Sequence, residues 1–334
     1  MLVRVVCKRT HDQTDIDTHC SHNYPWGVVP TLVVYFSVEL MNQLASAAVL
    51  TRRYTDVLKH AQAISNELAL AIEAAEAAGN VIRAGNGELH QVDQKGVGDL
   101  VSEVDRAADQ AVCEILKASS AIPILSEELH PTMAAGEKEF WIVDPLDATS
   151  AFLMRVGDQY PAVLIALYRD GRTELGVAYF PLTGEWFYAQ RDRCAFKNAT
   201  RLKINCDGLQ LHESWVEMNQ YGDAAKETQA FSKLRHELRT KRGARLVTTG
   251  VPNSGVALRI AESHSTLTAA IHDNGEASVK QAPWDIAAPQ LILEEAGGVF
   301  LDLDGNQTDP FQAKPFVVAR STALAHEIIS LVAN

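Results

Sequence analysis

The 334-residue chain has five cysteines, Cys7, Cys20, Cys113, Cys194 and Cys206. The number is odd and no pair has C-x-x-C spacing, so a disulfide framework is not expected and a reducing cytoplasm is the expected compartment. Neither G-x-x-x-x-G-K-[ST] nor G-x-G-x-x-G occurs, which argues against a P-loop or a dinucleotide-binding fingerprint. The apolar stretch at residues 28–38 is too short to span a membrane and is interrupted by Pro30. Its upstream flank carries Asp12, Asp15, Asp17, His11, His19 and His22, the wrong composition for a signal peptide. Basic residues are outnumbered, 30 against 42 acidic ones, giving a net charge of −12. A nucleic-acid polymer would need a basic stripe, so none is expected as a partner; an acidic surface suits a protein that gathers divalent cations. Internal repeats and low-complexity tracts are also missing.

What is present is an ordinary globular composition, 47% hydrophobic and 22% charged, with length enough to bury a sizeable core. Residues 1–53 read as a poorly ordered N-terminal extension, with Met41 as a workable alternative start. Cys7, His11, His19, Cys20 and His22 fit no closed zinc pattern.

The chain is organised around Trp141-Ile-Val-Asp-Pro-Leu-Asp-Ala-Thr-Ser150. Residues 140–143 read as a buried strand. Pro145 lacks an N–H and pushes Asp144 towards extended geometry, so the strand is expected to stop there. Asp147 follows three residues later, and residues 148–150 begin a helical turn. Two carboxylates thus stand beside helix N-terminal N–H groups, where a phosphate can bind next to a hard cation. The plainer alternative is an Asp-Pro turn with Asp147 as a helix cap.

Upstream, residues 54–84 show helical apolar spacing (Val57, Leu58, Ala61, Ile64, Leu68, Ile72, Ala75, Val81), closed by Gly85-Asn-Gly87. Residues 94–98 read as a glycine-containing loop holding Lys95. Asp99-Leu-Val-Ser-Glu-Val-Asp105 leads into a second amphipathic helix, with Ser102 and Asp105 at capping-box spacing. Residues 122–125 read as a strand ending in Ser126-Glu127-Glu128. Adjacent glutamates are usually solvated surface. If this strand neighbours residues 140–143, however, four carboxylates converge at one edge, and such a cluster needs cations. Oxygen-only ligands favour Mg²⁺ over zinc.

Downstream, residues 162–168, 175–180 and 185–189 form an antiparallel meander with turns at Asp170-Gly171 and residues 181–184. A composition shift near residues 202–207 marks a boundary, giving an N-terminal subdomain 54–205 with the metal site and a C-terminal α/β subdomain 206–334 in which strands and helices alternate. Asp285 begins a helix, with a plain N-cap as its alternative role. Trp284 reads as packing, Gly297-Gly298 as the helix stop, Ser254 as a helix cap, and His130 and His272 as ordinary polar residues.

Leu125-Ser-Glu-Glu128, Asp144-Pro-Leu-Asp-Ala-Thr149 and Trp284-Asp285 with Glu294-Glu-Ala-Gly-Gly298, in that order, resemble the signatures of the inositol monophosphatase family. Asp99 to Asp105 is similar to the family's upstream D-L-V-T-x-x-D segment, and the resemblance runs from about Tyr54 to the C-terminus. It implies an α+β fold, a layered α/β/α/β/α sandwich with the site between two subdomains. It implies a Mg²⁺-dependent, lithium-sensitive phosphomonoesterase using two or three ions, cytoplasmic and homodimeric, acting on a small phosphorylated metabolite and on neither nucleic acid nor membrane. Carried over by position, Glu127, Asp144, Asp147 and Asp285 with the Leu146 carbonyl would be metal ligands. Glu128 would help organise the water. Thr149 would orient that water and be positioned by Asp105. Lys95 would sit near a metal, and the Ala148 and Thr149 N–H groups would hold phosphate.

Two features depart from the family pattern. Glycine is usual where this chain has Ala148, a change tolerable if φ is negative there; some nucleotide-phosphatase branches resemble this chain in that respect. Inositol-specific members carry a glutamate before the last aspartate, whereas this chain has Lys280, suited to a second phosphate or carboxylate, or to solvent. Bisphosphate nucleotidase, fructose-1,6-bisphosphatase or histidinol-phosphatase activity are therefore alternatives, as is a non-catalytic phosphatase-like binding protein.

Overall fold

The computed structural model describes residues 5–6, 33–34, 38–88, 90–96, 99–134, 136–157, 159–205, 209–220, 229–240, 243–247, 252–262, 267–273, 282–312 and 314–333. Lys280, Cys206 and the cluster Cys7, His11, His19, Cys20, His22 lie outside them. Contacts divide the chain into Met1–Arg52 and Arg53–Asn334. In the first unit β1 (Val5–Val6) pairs antiparallel with β2 (Val33–Val34), and α1 (Val38–Ile64) begins.

The second unit continues with α2 (Asn66–Gly85), β3 (Val92–Gly96), β4 (Asp99–Ser102), α3 (Glu103–Ser119), β5 (Ile124–Ser126), β6 (Glu139–Asp147) and α4 (Thr149–Met154). Then come β7 (Ala162–Arg169), β8 (Arg172–Phe180), β9 (Glu185–Gln190), β10 (Ala195–Lys197), β11 (Thr200–Leu202) and β12 (Trp215–Gln220). The chain closes with α5 (Gln229–Thr240), β13 (Arg245–Val247), α6 (Asn253–Ala261), β14 (Leu267–Asp273), α7 (Pro283–Ala296), β15 (Val299–Asp302), β16 (Phe316–Ala319) and α8 (Thr322–Ala333).

Two large sheets carry this unit, beside the two-stranded β3-β4 pair. One has seven strands in the order β11-β10-β9-β8-β7-β6-β5; the other has five, β13-β12-β14-β16-β15. Period-two alternation sorts the meander side chains to opposite faces. Val163, Ile165, Leu167, Leu175, Val177, Tyr179, Trp186 and Tyr188 pack with α2 and α3. Leu164, Ala178, Phe180, Phe187 and Ala189 face α6 and α7, whose far side meets Ala270, Phe300, Phe316 and Val318 of the second sheet. That sheet's other face, with Val216, Met218, Ile271 and Val317, is covered by α5 and α8. The layers are α/β/α/β/α, and the fold is α+β.

The single helix expected over residues 54–84 is two. Ser65 adopts extended geometry (φ −161°) and its hydroxyl accepts the Leu68 N–H at 3.1 Å, so it ends α1 and caps α2. The expected loop at residues 94–98 is, through Gly96, the end of β3. Its ladder with β4 slips between Gln94 and Gly96, leaving Lys95 as the extra residue of a bulge. Asp170 and Gly171 both have positive φ (49° and 89°), the twist that suits a tight hairpin.

The middle layer approaches the sheet through small residues. Gly176 of β8 is flanked by Ala166 on β7 and Ala189 on β9, and the backbone of Ala288 in α7 lies directly above it.

Candidate metal centre and active site

β5 and β6 run parallel, Ser126 opposite Val143, and the Glu127 N–H continues the ladder to the Val143 carbonyl at 3.1 Å. Glu127 therefore lies beside Asp144, as expected if the two strands are neighbours. β6 does not stop at Asp144; it runs to Asp147. Asp144 faces Leu164 and Asp147 faces Ala162, so three steps on β6 match two on β7. Pro145 and Leu146 sit at this bulge, where a missing strand N–H is tolerated. In a regular strand, residues three apart point to opposite faces. The bulge restores an even step and turns both aspartates towards the α6 and α7 layer.

That layer supplies the third acid. The N-cap of α7 is Ala282, and Asp285 stands three residues further on, accepting the Ala282 N–H on Oδ2 at 2.8 Å. Carboxylate oxygens of Asp144, Asp147 and Asp285 all lie within 4.8 Å of one another. Burial first, then the negative charges of Glu127, Asp147 and Asp285, push the Asp144 carboxyl well above its ordinary range. Asp147 is pushed up to about 6 by burial, held back by bonds from Ser254 and the Ala148 N–H. Buried acids that repel one another in this way suit a divalent cation.

A second set of bonds builds the wall of the site. The Ser102 backbone N–H and hydroxyl both donate to Asp105 Oδ2, at 2.8 and 2.6 Å, forming the expected capping box of α3. The other oxygen, Oδ1, lies 2.6 Å from the Thr149 hydroxyl, which is also 3.0 Å from the Leu146 carbonyl. The hydroxyl has one proton and the carboxylate is the stronger, closer acceptor, so Thr149 donates to Asp105.

Ala148 has φ 69° and ψ 38°, so the negative φ that would tolerate its methyl is not what the turn adopts. Ser254 does not cap its helix. Pro252 is the N-cap of α6, and the buried Ser254 hydroxyl donates to Asp147 Oδ2. Neither Asp147 nor Asp285 is the N-cap residue of the helix it precedes or begins; those positions belong to Ala148 and Ala282.

Asp109 was not singled out by sequence reasoning. It is fully buried, and its Oδ2 accepts the N–H groups of Glu128 and Leu129 at 3.0 and 2.9 Å, fixing the turn that carries Glu127 and Glu128. Its other oxygen accepts the Cys113 thiol at 3.3 Å, and burial with this neighbour pushes that thiol up to about 12. The available signal was an acid on the buried stripe of α3, between Ala108 and Val112. Lys95 lies on β3, its side chain outside the described residues. Arg106 binds Asp93 of the same strand at 2.7 Å, tying β3 to the first turn of α3. His130 contacts Lys117 at 2.9 Å, and His272 is buried and stacked 5.0 Å from Phe316. Trp284 packs beside Leu125, Phe140 and Ala287.

Residues 64–334 match the inositol monophosphatase family. The chain belongs to that family. It is 33% identical over 247 residues to the Nus factor SuhB of Escherichia coli strain K12, spanning 71% of this chain and 85% of the relative. It is 32% identical over 240 residues to the inositol-1-monophosphatase of Mesorhizobium japonicum, again 71% and 85%. Among solved structures, the Bartonella henselae extragenic suppressor protein suhB superposes with a TM-score of 0.69 at 25% identity, covering 80% of this chain and 98% of that one. The Thermotoga maritima IMPase gives 0.65 at 25% identity, covering 80% and 97%. As an inositol monophosphatase family member the chain is a phosphoric monoester hydrolase by class. The relatives' names divide between an inositol-1-monophosphatase and a Nus factor, so they do not agree on a substrate. Among the described residues, no helix is long and apolar enough to cross a membrane.

Proposed function

We propose that the chain is a Mg²⁺-dependent phosphomonoesterase that hydrolyses a small phosphate ester with an activated water as nucleophile. The observation that carries this reading is the convergence of Asp144 and Asp147 from the bulged end of β6 with Asp285 from α7. The donors are all hard oxygens, and their mutual repulsion fits a cation of charge two or more. Glu127 and the Leu146 carbonyl complete the proposed ligand set, and the site lies between subdomains 54–205 and 206–334. Two or three Mg²⁺ ions bound there would neutralise the phosphate, supply a nucleophilic water at neutral pH and stabilise the leaving alkoxide.

The protein's own groups do the orienting. With its proton given to Asp105, the Thr149 oxygen has lone pairs left to accept a proton of the attacking water. Glu128, on the turn that Asp109 holds, organises the same water. The Ala148 and Thr149 N–H groups are the proposed phosphate donors; by the resemblance Lys95 would sit near a metal, and Lys280 is the candidate to meet a second phosphate or carboxylate. A non-catalytic binding role would be expected to replace one of these acids, and all of them are present. By family resemblance the proposal extends to lithium sensitivity, a homodimer and a cytoplasmic location.

Phosphate release tests it, measured with and without Mg²⁺ and then with Li⁺. The substrates are inositol 1-phosphate, 3′-phosphoadenosine 5′-phosphate, fructose 1,6-bisphosphate and histidinol phosphate. Mg²⁺-dependent turnover of one compound is expected and selects the substrate class. Turnover indifferent to a chelator, or none with any compound, counts against the reading.

A further inference from the structure

α6 is fastened to the seven-stranded sheet at both ends. Near its C-terminus Arg259 binds Glu185 of β9 at 3.0 Å and Glu262 at 3.1 Å, and Lys197 of β10 binds Glu185 at 2.5 Å and also reaches Glu262. The Arg259 guanidinium lies over the rings of Phe180 and Phe187, at 5.9 and 6.0 Å. In its first turn, Ser254 donates to Asp147 Oδ2. Held at both ends, the helix cannot slide or rotate freely against β6, so the serine oxygen is a fixed point for the aspartate.

Among the described residues the hydroxyl has no other hydrogen-bond partner. It is 2% exposed, and α6 has no side-chain cap bond. A buried hydroxyl needs an acceptor, and here that acceptor is one oxygen of a carboxylate in the acidic cluster. The bond fixes the orientation of the Asp147 carboxylate relative to α6.

We propose that Ser254 is a positioning residue for cation binding: its hydroxyl holds the Asp147 carboxylate in its orientation towards the metal, and so sets metal affinity. The inference rests on the metal site proposed above. Groups that orient a metal's direct ligands typically change affinity by about 10- to 100-fold when removed.

The test is calorimetric titration of the full chain with Mg²⁺ alone, for wild type, S254A, S254C and S254T, with thermal unfolding of each measured without metal. S254A is expected to bind Mg²⁺ about tenfold or more weakly. It should need correspondingly more Mg²⁺ for half-maximal phosphate release, with turnover at saturating Mg²⁺ little changed. S254T, which keeps the hydroxyl, should recover affinity; S254C, nearly isosteric with a weak donor, should fall between. If S254A does not fold, the contrast between S254C and S254T decides. Wild-type affinity in S254A, or in both S254C and S254T, overturns the proposal, as does a loss of affinity that tracks only a loss of folded protein. Absence of Mg²⁺ binding by wild type would overturn the metal site itself and this inference with it.

Discussion

Gly176→Ala tests how the middle helix layer positions the site. A Cβ at residue 176 would lie 2.9 Å from both the Cα and the carbonyl oxygen of Ala288, and 3.3 Å from its carbonyl carbon. Carbon atoms pack at about 3.5–4.0 Å, so the shortfall to the Cα is about 0.6–1.1 Å. The obstructing atoms are helix backbone and cannot rotate aside; α7 must move outward. Overpacking of this type costs about 1–3 kcal/mol. A stiffer unfolded chain offsets about 0.4–1 kcal/mol of it. A net loss of about 1–2 kcal/mol lowers the melting temperature by about 1–4 °C in a chain of this size. Asp285 lies one turn before Ala288 on the same helix, so the displacement reaches the acidic cluster. Misplacement on the ångström scale lowers turnover by up to about 100-fold. Thermal unfolding and Mg²⁺-dependent phosphate release, measured on the same preparation, check both effects. A G176A protein with wild-type melting and wild-type turnover would refute the close-approach argument. Loss of stability with full activity would refute its coupling to Asp285.

Ala148→Gly relieves a left-handed residue worth about 1–2 kcal/mol of strain, less the added freedom of the unfolded chain, about 0.4–1 kcal/mol. A melting temperature equal to or a few degrees above wild type is expected; a clear drop would contradict the positive φ. Asp147→Asn should change how stability depends on pH in metal-free protein. Because the folded Asp147 carboxyl is raised to about 6, wild type loses stability as pH rises from the unfolded value near 4 through 6. The variant should therefore be the more stable above about pH 6 and equal to wild type below about pH 4. Denaturant midpoints across that range check it; a variant less stable at pH 7.5 would reverse the sign.

Much of the site was legible because its chemistry is written in residue type. Glu127, Asp144, Asp147 and Asp285 could be named through the family resemblance, and the neighbouring of the two acid-bearing strands was the condition on which Glu127, Glu128, Asp144 and Asp147 would converge. The meander was legible from its alternation and from Asp170-Gly171. What was not legible depends on tertiary geometry. Pro145 was expected to end the strand, but a bulge accommodates it and turns Asp144 and Asp147 to one face. The extended conformation of Ser65 splits a helix whose apolar spacing continues on both sides of it. The sign of φ at Ala148 follows from the tight turn between β6 and α4, which local sequence does not specify. Ser254 looked like a cap because serine before an apolar helical run usually is one; its acceptor lies 107 residues away. Asp109 carried a faint signal, a buried-stripe acid, whose meaning appears only once the turn at Glu128 packs over it.

The most direct test of the central claim is Mg²⁺-dependent phosphate release by Asp285→Asn. Asparagine keeps an acceptor for the Ala282 N–H that the aspartate now satisfies at 2.8 Å, so the helix start survives while one charge leaves the cluster. The protein is expected to fold, with turnover lowered by about 100-fold or more at Mg²⁺ concentrations that saturate wild type, at or above the range seen when a group that only orients a metal ligand is lost. Near-normal turnover at those concentrations, in protein that melts like wild type, would contradict the proposed metal site.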